Sequence, residues 1–512
     1  MRNLIIIFAL ILLFCATGLA IAEDKVTVFK CNFDEPNVTE TWTDAKERIT
    51  EGYKSPHSLL IENENAYRTI TCSTQIPADR IEGRLITVSA VVKADNISQP
   101  TNHWNGIKVM LILETKEGKQ HSQLPLGAGS FQWTPMEQIV RVPKGIKRAR
   151  LVLGLEKSSG RAWFDDIRVS IGRAKKGKRF DTKFKGHDLP RLRGVVHGPL
   201  FNEKNIRILA EQWKANQVRW QLNPGPMKKN EVWAKDLDAY DKWLDGALDS
   251  SDRALAACEK YGLMVVVDLH CPPGGLSDDG VCLMFSNKQY QDKLVEVWGK
   301  IARRYKERKC VYAYDLINEP VEPKAGGTIT WPELAIKVID TIRAIDPGKP
   351  VVFEPGPWGN PEGFDQIVPL DRDGVIYSFH MYKPHILTHQ GVHEQRTGVK
   401  YPGVIDRLMW NKDRLEEAMI AAIDFQNEFN VQIYVGEFSA IRWAPDNSAY
   451  RYLRDCIDLF EKYGWDWSYH AFREWHGWSV EHGCDKGDVS PSIQQTDRER
   501  LLRSWFAKNK RP

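Results

Sequence analysis

The feature that most restricts this chain is a strand-then-helix alternation running from residue 193 to the C-terminal region. Short β-branched and aromatic runs stand at Arg193–His197, Gln217–Gln221, Met264–His270, Val311–Asn318, Pro350–Glu354, Val375–Tyr382, Val431–Glu437 and Trp465–Phe472. Longer helical patterns separate them, such as Lys288–Glu307 and Trp331–Ile345. Parallel strands need long crossovers, and helices supply them; eight such units over about 310 residues predict a (β/α)8 barrel across 193–508.

Residues 25–172 read differently. Runs such as Arg84–Val92, Ile107–Leu113, Ala149–Leu155 and Arg161–Val169 are short, with turn residues between them (Glu117-Gly118-Lys119, Pro143-Lys144-Gly145, Ser158-Ser159-Gly160). Evenly spaced short strands predict an all-β sandwich or jelly roll. The whole is therefore a multidomain chain: an N-terminal jelly-roll sandwich and a C-terminal (β/α)8 TIM barrel. Phe33-Asp34, the Gly52–Leu60 segment and the closing Trp163–Val169 run resemble the jelly-roll carbohydrate-binding modules attached to plant-cell-wall hydrolases. That resemblance implies a structural calcium held by Asp34 with Asp165 or Asp166, since calcium prefers oxygen ligands; the other reading is that these acids cap turns. Trp42, Tyr67, Trp104 and Trp133 are the candidate sugar platforms there.

Residues 173–192 are basic and carry neither strand nor helix period, which predicts a solvated linker. Leu4–Phe14 is an apolar run followed by Ala20-Ile21-Ala22, the pattern of a secretory signal over residues 1–22 with export to the periplasm or medium. That run is too short to span a bilayer comfortably, so no membrane span is expected. Cys15 is the one candidate for lipidation. In an exported protein, Cys31 could pair with Cys72 and Cys271 with Cys282, although pairing does not follow from sequence, and buried thiols are the expectation for the barrel cysteines. A net charge of +4 against 138 charged side chains argues against a nucleic-acid-binding surface. The chain is expected to be a monomer.

The chemistry gathers at strand ends. A barrel of this kind carries its active site at the C-terminal ends of its strands. Here those ends offer His197, Arg219, His270, Asn318-Glu319, His380, Tyr382, Glu437 and, just past the eighth, Trp475. Two glutamates on one rim are what cleavage of a glycosidic bond needs, one to give a proton and one to attack the sugar. Asp268 and Asp315 lie inside their strands and read as buried supports, and Glu354 as a substrate contact or a loop cap. Trp220, Trp331, Trp358, Trp443 and Trp478 are candidate stacking faces for sugar rings.

Asn318-Glu319-Pro320, together with Arg219, His270, His380-x-Tyr382, Glu437 and Trp475 in this order, resembles glycoside hydrolase family 5 over about 320 residues. The resemblance implies a retaining hydrolase with Glu319 as acid/base and Glu437 as nucleophile. It further implies that Arg219 and Tyr382 hold Glu437, that Asn318 binds the sugar 2-hydroxyl, that His270 and His380 bind hydroxyls or tune the glutamates, and that Trp475 stacks under the reacting sugar. No cofactor is implied for catalysis. The substrate class is a plant-type β-glycan, with endo-β-1,4-glucanase the first choice and β-mannanase or exo-glucosidase open. The loops at 271–280 and 383–409 are expected to shape the subsites. Two other readings remain: a metal-dependent barrel hydrolase built on His270, Glu319, His380 and Glu437, and a non-catalytic polysaccharide-binding protein.

Overall fold

Eight parallel strands close into a barrel in the computed structural model of the protein. The structure describes residues 26–511 apart from 36, 45–46, 50, 103, 125, 174, 225–231, 279, 324–327 and 393–395. The expected signal segment and Cys15 lie outside the described residues. The strands are β1 (Arg193–His197), β2 (Gln217–Gln221), β3 (Met264–Asp268), β4 (Val311–Asp315), β5 (Val351–Phe353), β6 (Val375–Met381), β7 (Ile433–Phe438) and β8 (Asp466–Tyr469). They pair in chain order, and β8 returns to β1 through Val195 opposite Tyr469.

Strand alternation explains which side chains meet. On β2, Val218 and Trp220 face outward, and Trp220 donates to Ser251 of the helix Leu237–Tyr261 at 2.8 Å. Gln217 faces inward and donates to the Tyr434 hydroxyl at 2.9 Å, which in turn lies 2.6 Å from Ser468 Oγ. Leu192, Val266, Tyr312, Val352 and Ile376 pack with Tyr434 in one apolar cluster. At the C-terminal rim comes Arg219. The barrel interior is thus a stack of packed layers rather than a pore.

The helices seat on this barrel by one face each. In Lys288–Tyr305, Leu294, Val297, Trp298, Ile301, Ala302 and Tyr305 recur at helical spacing and are buried. Each is worth about 1.5–3 kcal/mol of apolar transfer for the larger side chains. Trp331–Ile345 begins at a capping box in which Thr330 and Glu333 satisfy each other's backbone N–H groups. Among the described residues no helix is long and apolar enough to cross a membrane.

The chain divides into two compact units, one of residues up to Gly172 apart from 116–119, the other of those four residues with Arg173–Pro512. The linker expectation for 173–192 gives way here. Arg173 is buried, and its Nη1 donates to the carbonyls of Asp365 and Ile367 at 2.8 and 3.1 Å, while Nε meets Glu428 at 3.1 Å. His187 Nε2 lies 2.7 Å from Asp466, and the Leu192 N–H donates to the same carboxylate. Arg173 and His187 are thus tied to carbonyls and an acid of the same unit, so this segment is part of that unit, while Lys175, Lys176 and Lys185 stay exposed.

The N-terminal unit holds two antiparallel sheets. One orders Glu47–Ile49, Ser58–Asn63, Gly160–Ile171, Leu85–Ile97 and Gly129–Arg141, with Thr27–Cys31 also on Gly160–Ile171; the other orders Thr69–Ile76, Arg148–Glu156, Gly106–Glu114 and Lys119–Gln123. Both contribute to one core, including Leu59, Val88 and Phe164 from the first and Val109, Leu151 and Leu153 from the second. Trp42 belongs to that core: it is buried against Phe29 and Phe33, which removes it as a sugar platform. Trp133 is half-buried beside Tyr53, whereas Tyr67 and Trp104 are exposed.

The donor set around the expected calcium ligands is that of a turn cap. Asp165 Oδ2 accepts from the Tyr53 N–H at 2.6 Å and the Ser55 hydroxyl at 3.0 Å, and Oδ1 accepts from the Asp166 N–H at 2.6 Å. Asp34 accepts from the His57 N–H at 3.2 Å and the Asn32 amide at 2.6 Å. Asp166 is paired with Arg168 at 2.8 Å. Calcium is bound by oxygen lone pairs, and several of those lone pairs are here met by N–H and O–H groups, as expected of acids that cap turns. The suggested disulfides are absent: Cys31, Cys72 and Cys282 are buried free thiols, and burial pushes the Cys72 thiol up to about 12.

Candidate active site

Arg219 organises the rim of the barrel. It is fully buried at the inward position of β2, where an uncompensated charge would cost several kcal/mol. Its Nε donates to Asp315 Oδ2 at 2.9 Å, Nη1 to Glu437 Oε1 at 2.7 Å, and Nη2 to Asn318 Oδ1 at 3.1 Å and Glu354 Oε1 at 3.3 Å. Asp268 Oδ1 stands 3.1 Å from Nη2. One guanidinium thus faces four carboxylates from β3, β4, β7 and the end of β5. Burial, reinforced by the Glu354 and Asp268 charges, holds Asp315 well above the usual carboxylate range against the pull of Arg219. Shifting Asp315 toward its neutral form limits the excess negative charge.

Glu437 is enclosed. Besides Arg219, it accepts from the Tyr382 hydroxyl at 2.9 Å through Oε2, with His470 Nδ1 at 3.4 Å and His380 Nδ1 at 3.7 Å. Burial works against its ionisation, but the fields of His470, His380, Arg219 and His270 outweigh it and hold its carboxyl well below the usual glutamate range. A depressed value means the ionised form, and the stability it lends, is present above the ordinary glutamate range and is lost as pH falls through the folded value. The acid limb of any activity that needs ionised Glu437 is therefore expected below the range of an ordinary glutamate. A kcat/KM profile measured down to the acid unfolding point checks this; a limb at or above pH 5 contradicts it.

Glu319 is the open partner. Its side chain is 31 % exposed against 5 % for Glu437. It follows the β4 strand and takes a left-handed backbone, φ 49°, which costs a non-glycine residue about 1–2 kcal/mol. Its backbone N–H donates to Glu354 Oε2 at 3.0 Å, and its Oε1 lies 2.8 Å from His380 Nδ1. A carboxylate oxygen of Glu319 is within 4.8 Å of one of Glu437, with an atom of His380 inside the same radius. These three groups are also the one cluster of potential metal ligands among the described residues. The His380 imidazole does not fit that role. Both of its ring nitrogens already face carboxylates, Nδ1 at 2.8 Å from Glu319 and Nε2 at 2.9 Å from Glu354; burial disfavours its charge, but Glu354, Glu437 and Glu319 raise it well above the usual histidine range.

His270, at 2.8 Å from Asp268 Oδ2, is shifted toward its charged form: burial opposes this, and Asp268 and Glu437 prevail. The structure thus brings Arg219, His270, Asn318, Glu319, His380, Tyr382 and Glu437 to one rim. His197 plays another part. It is buried between Trp220 and Phe472, its Nδ1 meets the Gly198 carbonyl at 2.9 Å, and burial lowers its proton affinity, so it is a neutral packing residue.

The tryptophans divide. Trp220 and Trp331 are core residues, the latter donating to the Glu354 carbonyl at 2.8 Å and stacked on Phe353. Trp478 stacks on Tyr382 at 5.8 Å and donates to the Thr388 carbonyl, so it supports the tyrosine. Half-buried Trp443 is tied by its N–H to the Gln390 carbonyl. Trp475 lies past the strand end, 36 % exposed, edge-on to Trp443 and Trp478. Trp358, 49 % exposed, is on the loop after β5, its backbone N–H bonded to the carbonyl of Pro320, next to Glu319.

Two groups escaped the sequence reading. His470, one residue past β8, lies 2.6 Å from the Tyr382 hydroxyl, and Glu474 Oε2 is 3.4 Å from its Nε2. The signal was present: Asp466, Ser468 and His470 share the inward parity of β8, while Trp465, Trp467 and Tyr469 take the outward one.

A family model described as cellulase (glycosyl hydrolase family 5) matches residues 175–476. The chain belongs to glycosyl hydrolase family 5. This family 5 protein is therefore a glycoside hydrolase, and the rim described above is its candidate active site. It is 28 % identical over 261 residues to Endoglucanase C of Acetivibrio thermocellus, covering 45 % of this chain and 75 % of that protein. It is likewise 28 % identical over 272 residues to Cellodextrinase A of Ruminococcus flavefaciens, covering 51 % and 75 %. A crystal structure described as a glycoside hydrolase superimposes with a TM-score of 0.51 at 24 % identity over 62 % of this chain and 99 % of that one, a likeness of fold.

Proposed function

We propose that this family 5 hydrolase cleaves a β-1,4-glucan internally, with retention of anomeric configuration, Glu319 acting as acid/base and Glu437 as nucleophile. The observation that carries this is the carboxylate pair: oxygens within 4.8 Å of each other, one side chain enclosed and ionised, the other open to solvent. Retaining enzymes hold their carboxyls about 5–5.5 Å apart, whereas inverting ones need about 6.5–9.5 Å to admit a water. In the first step Glu437 forms a bond to the anomeric carbon, the glycosidic C–O bond breaks, and the Glu319 proton passes to the leaving oxygen. In the second, Glu319 takes a proton from water, the hydroxide attacks the same carbon, and Glu437 leaves as a carboxylate. Arg219 keeps Asp268 and Glu354 as counter-charges while Glu437 is esterified, so its cation is not stranded. Tyr382 aims Glu437, and Asn318, its oxygen engaged by Arg219, gives its amide N–H to the sugar 2-hydroxyl.

The glucan choice is supported by the endoglucanase names of its relatives. Tyr67 and Trp104 support a carbohydrate-binding role for the N-terminal unit, which we propose is a jelly-roll module. The signal-like residues 1–22 support export, and we propose a monomer outside the cytoplasm. The test is a panel of soluble β-glucans and β-mannans with product lengths and proton NMR of the first-formed anomer. Expected are mixed oligomers from β-1,4-glucan, appearing first as the β-anomer. First-formed α-anomer refutes retention, monomer or dimer release from chain ends refutes internal cleavage, and preference for mannan refutes the glucan choice.

A further inference from the structure

The fully buried Glu354 carboxylate touches both parts of the acid/base apparatus and cannot itself reach a substrate. Its Oε2 accepts the backbone N–H of Glu319 at 3.0 Å, the residue in the left-handed conformation. Its Oε1 forms a 2.9 Å ion pair with Nε2 of His380, whose other nitrogen meets Glu319 Oε1 at 2.8 Å. The same Oε1 takes an Arg219 N–H at 3.3 Å. The surroundings are shaped for this contact. Gly359 has φ 57°, and a Cβ there would stand 2.8 Å from Glu354 Oε2; a Cβ on Gly436 would stand 2.9 Å from His380 Nε2.

We propose that Glu354 is a positioning residue for proton transfer: one buried carboxylate fixes the backbone that carries Glu319 and the charged imidazole that touches its carboxyl. This rests on the assignment of Glu319 and Glu437 above. The groups facing His380 are Glu319 from the end of β4, Glu354 from β5, Glu437 from β7 and the like-charged His470 from β8; Arg219, with Asp268 and Asp315 behind it, lies on the far side of Glu354. Without the Glu354 charge, a buried imidazolium loses a principal counter-ion and gives up its proton more readily. Glu437 then loses a positive neighbour at 3.7 Å and becomes easier to protonate.

The experiment compares Glu354→Gln with the full-length wild type. Gln has the same shape without the charge. The expected result has two parts. The acid limb of kcat/KM moves to higher pH by about one unit, the scale of a single lost charge contact. The rate falls about tenfold or more on substrates with poor leaving groups and clearly less on aryl glycosides with good ones, because only the former depend on a well-aimed acid. Gly359→Ala, which displaces the carboxylate without removing it, is expected to show the same leaving-group dependence and serves if Glu354→Gln does not fold. A pH profile that superimposes on wild type, with equal losses on both substrate classes, overturns the proposal. The underlying assignment fails separately, if Glu437→Ala retains normal hydrolysis.

Discussion

Replacing Glu437 with Ala is expected to lower hydrolysis of every glycan substrate by about 10⁵-fold or more while leaving a folded protein, the scale seen when a covalent nucleophile is removed from an enzyme. The reasoning begins at Arg219. Breaking a buried ion pair is normally severe, about 3–5 kcal/mol, because it leaves a charge without a partner. Arg219 is different: after the loss of Glu437 it keeps hydrogen bonds to Asp315 and Glu354 and the nearby Asp268 carboxylate. Far-ultraviolet circular dichroism and a melting scan should therefore show a native barrel with a modest drop in Tm. Azide, small enough for the space vacated by the carboxylate, should attack an activated glycoside from that face and yield the glycosyl azide of inverted configuration. Wild-type rates in this variant would end the assignment of Glu437 as nucleophile.

The barrel was legible because its strands are short β-branched runs at regular distances, and strand order follows when each is joined to the next by a helix. The two glutamates were legible for the same reason: once Val311–Asn318 and Val431–Glu437 are strands, their ends must share a rim. What misled at the eighth strand was length. Reading Trp465–Phe472 as one strand drew attention to Trp475, whereas the ladder stops at Tyr469 and the next inward residue is His470. Parity along Asp466, Ser468 and His470 carried the answer; the density of tryptophan hid it. The role of Glu354 was beyond the sequence in a different way. Whether a carboxyl at a strand end touches substrate or a neighbouring imidazole depends on side-chain direction, and that is set by His380 on the next strand and Gly359 in the following loop, both outside the strand's own pattern. The 173–192 segment failed for a related reason. Its basic composition suggested solvent, but Arg173 and His187 find their partners among carbonyls and acids more than 180 positions away, which no local pattern can reveal.

Glu319→Ala should give the complementary defect, and its size should depend on the leaving group. A positioned acid or base contributes about 10²–10⁴-fold. For a natural glucan the departing sugar alkoxide is a poor leaving group, so both steps need Glu319 and the full loss is expected. For an aryl glycoside with an acidic phenol, the first step needs no proton. Glu437 is still ionised and still held by Arg219 and Tyr382, so the glycosyl-enzyme should form at a near-normal rate and then accumulate, since no base remains to activate water. A burst of phenol followed by a slow steady state is the expected trace, and mass spectrometry should find the sugar on the peptide carrying Glu437. Azide should accelerate the slow step, because an anion needs no base, and the product should be the glycosyl azide of retained configuration. That result is opposite in stereochemistry to the Glu437→Ala case, and the contrast follows from the proposed roles, which put the two carboxylates on opposite sides of the anomeric carbon. An equal loss on good and poor leaving groups, with no burst and no response to azide, would instead mean that Glu319 supports the rim without handling the proton.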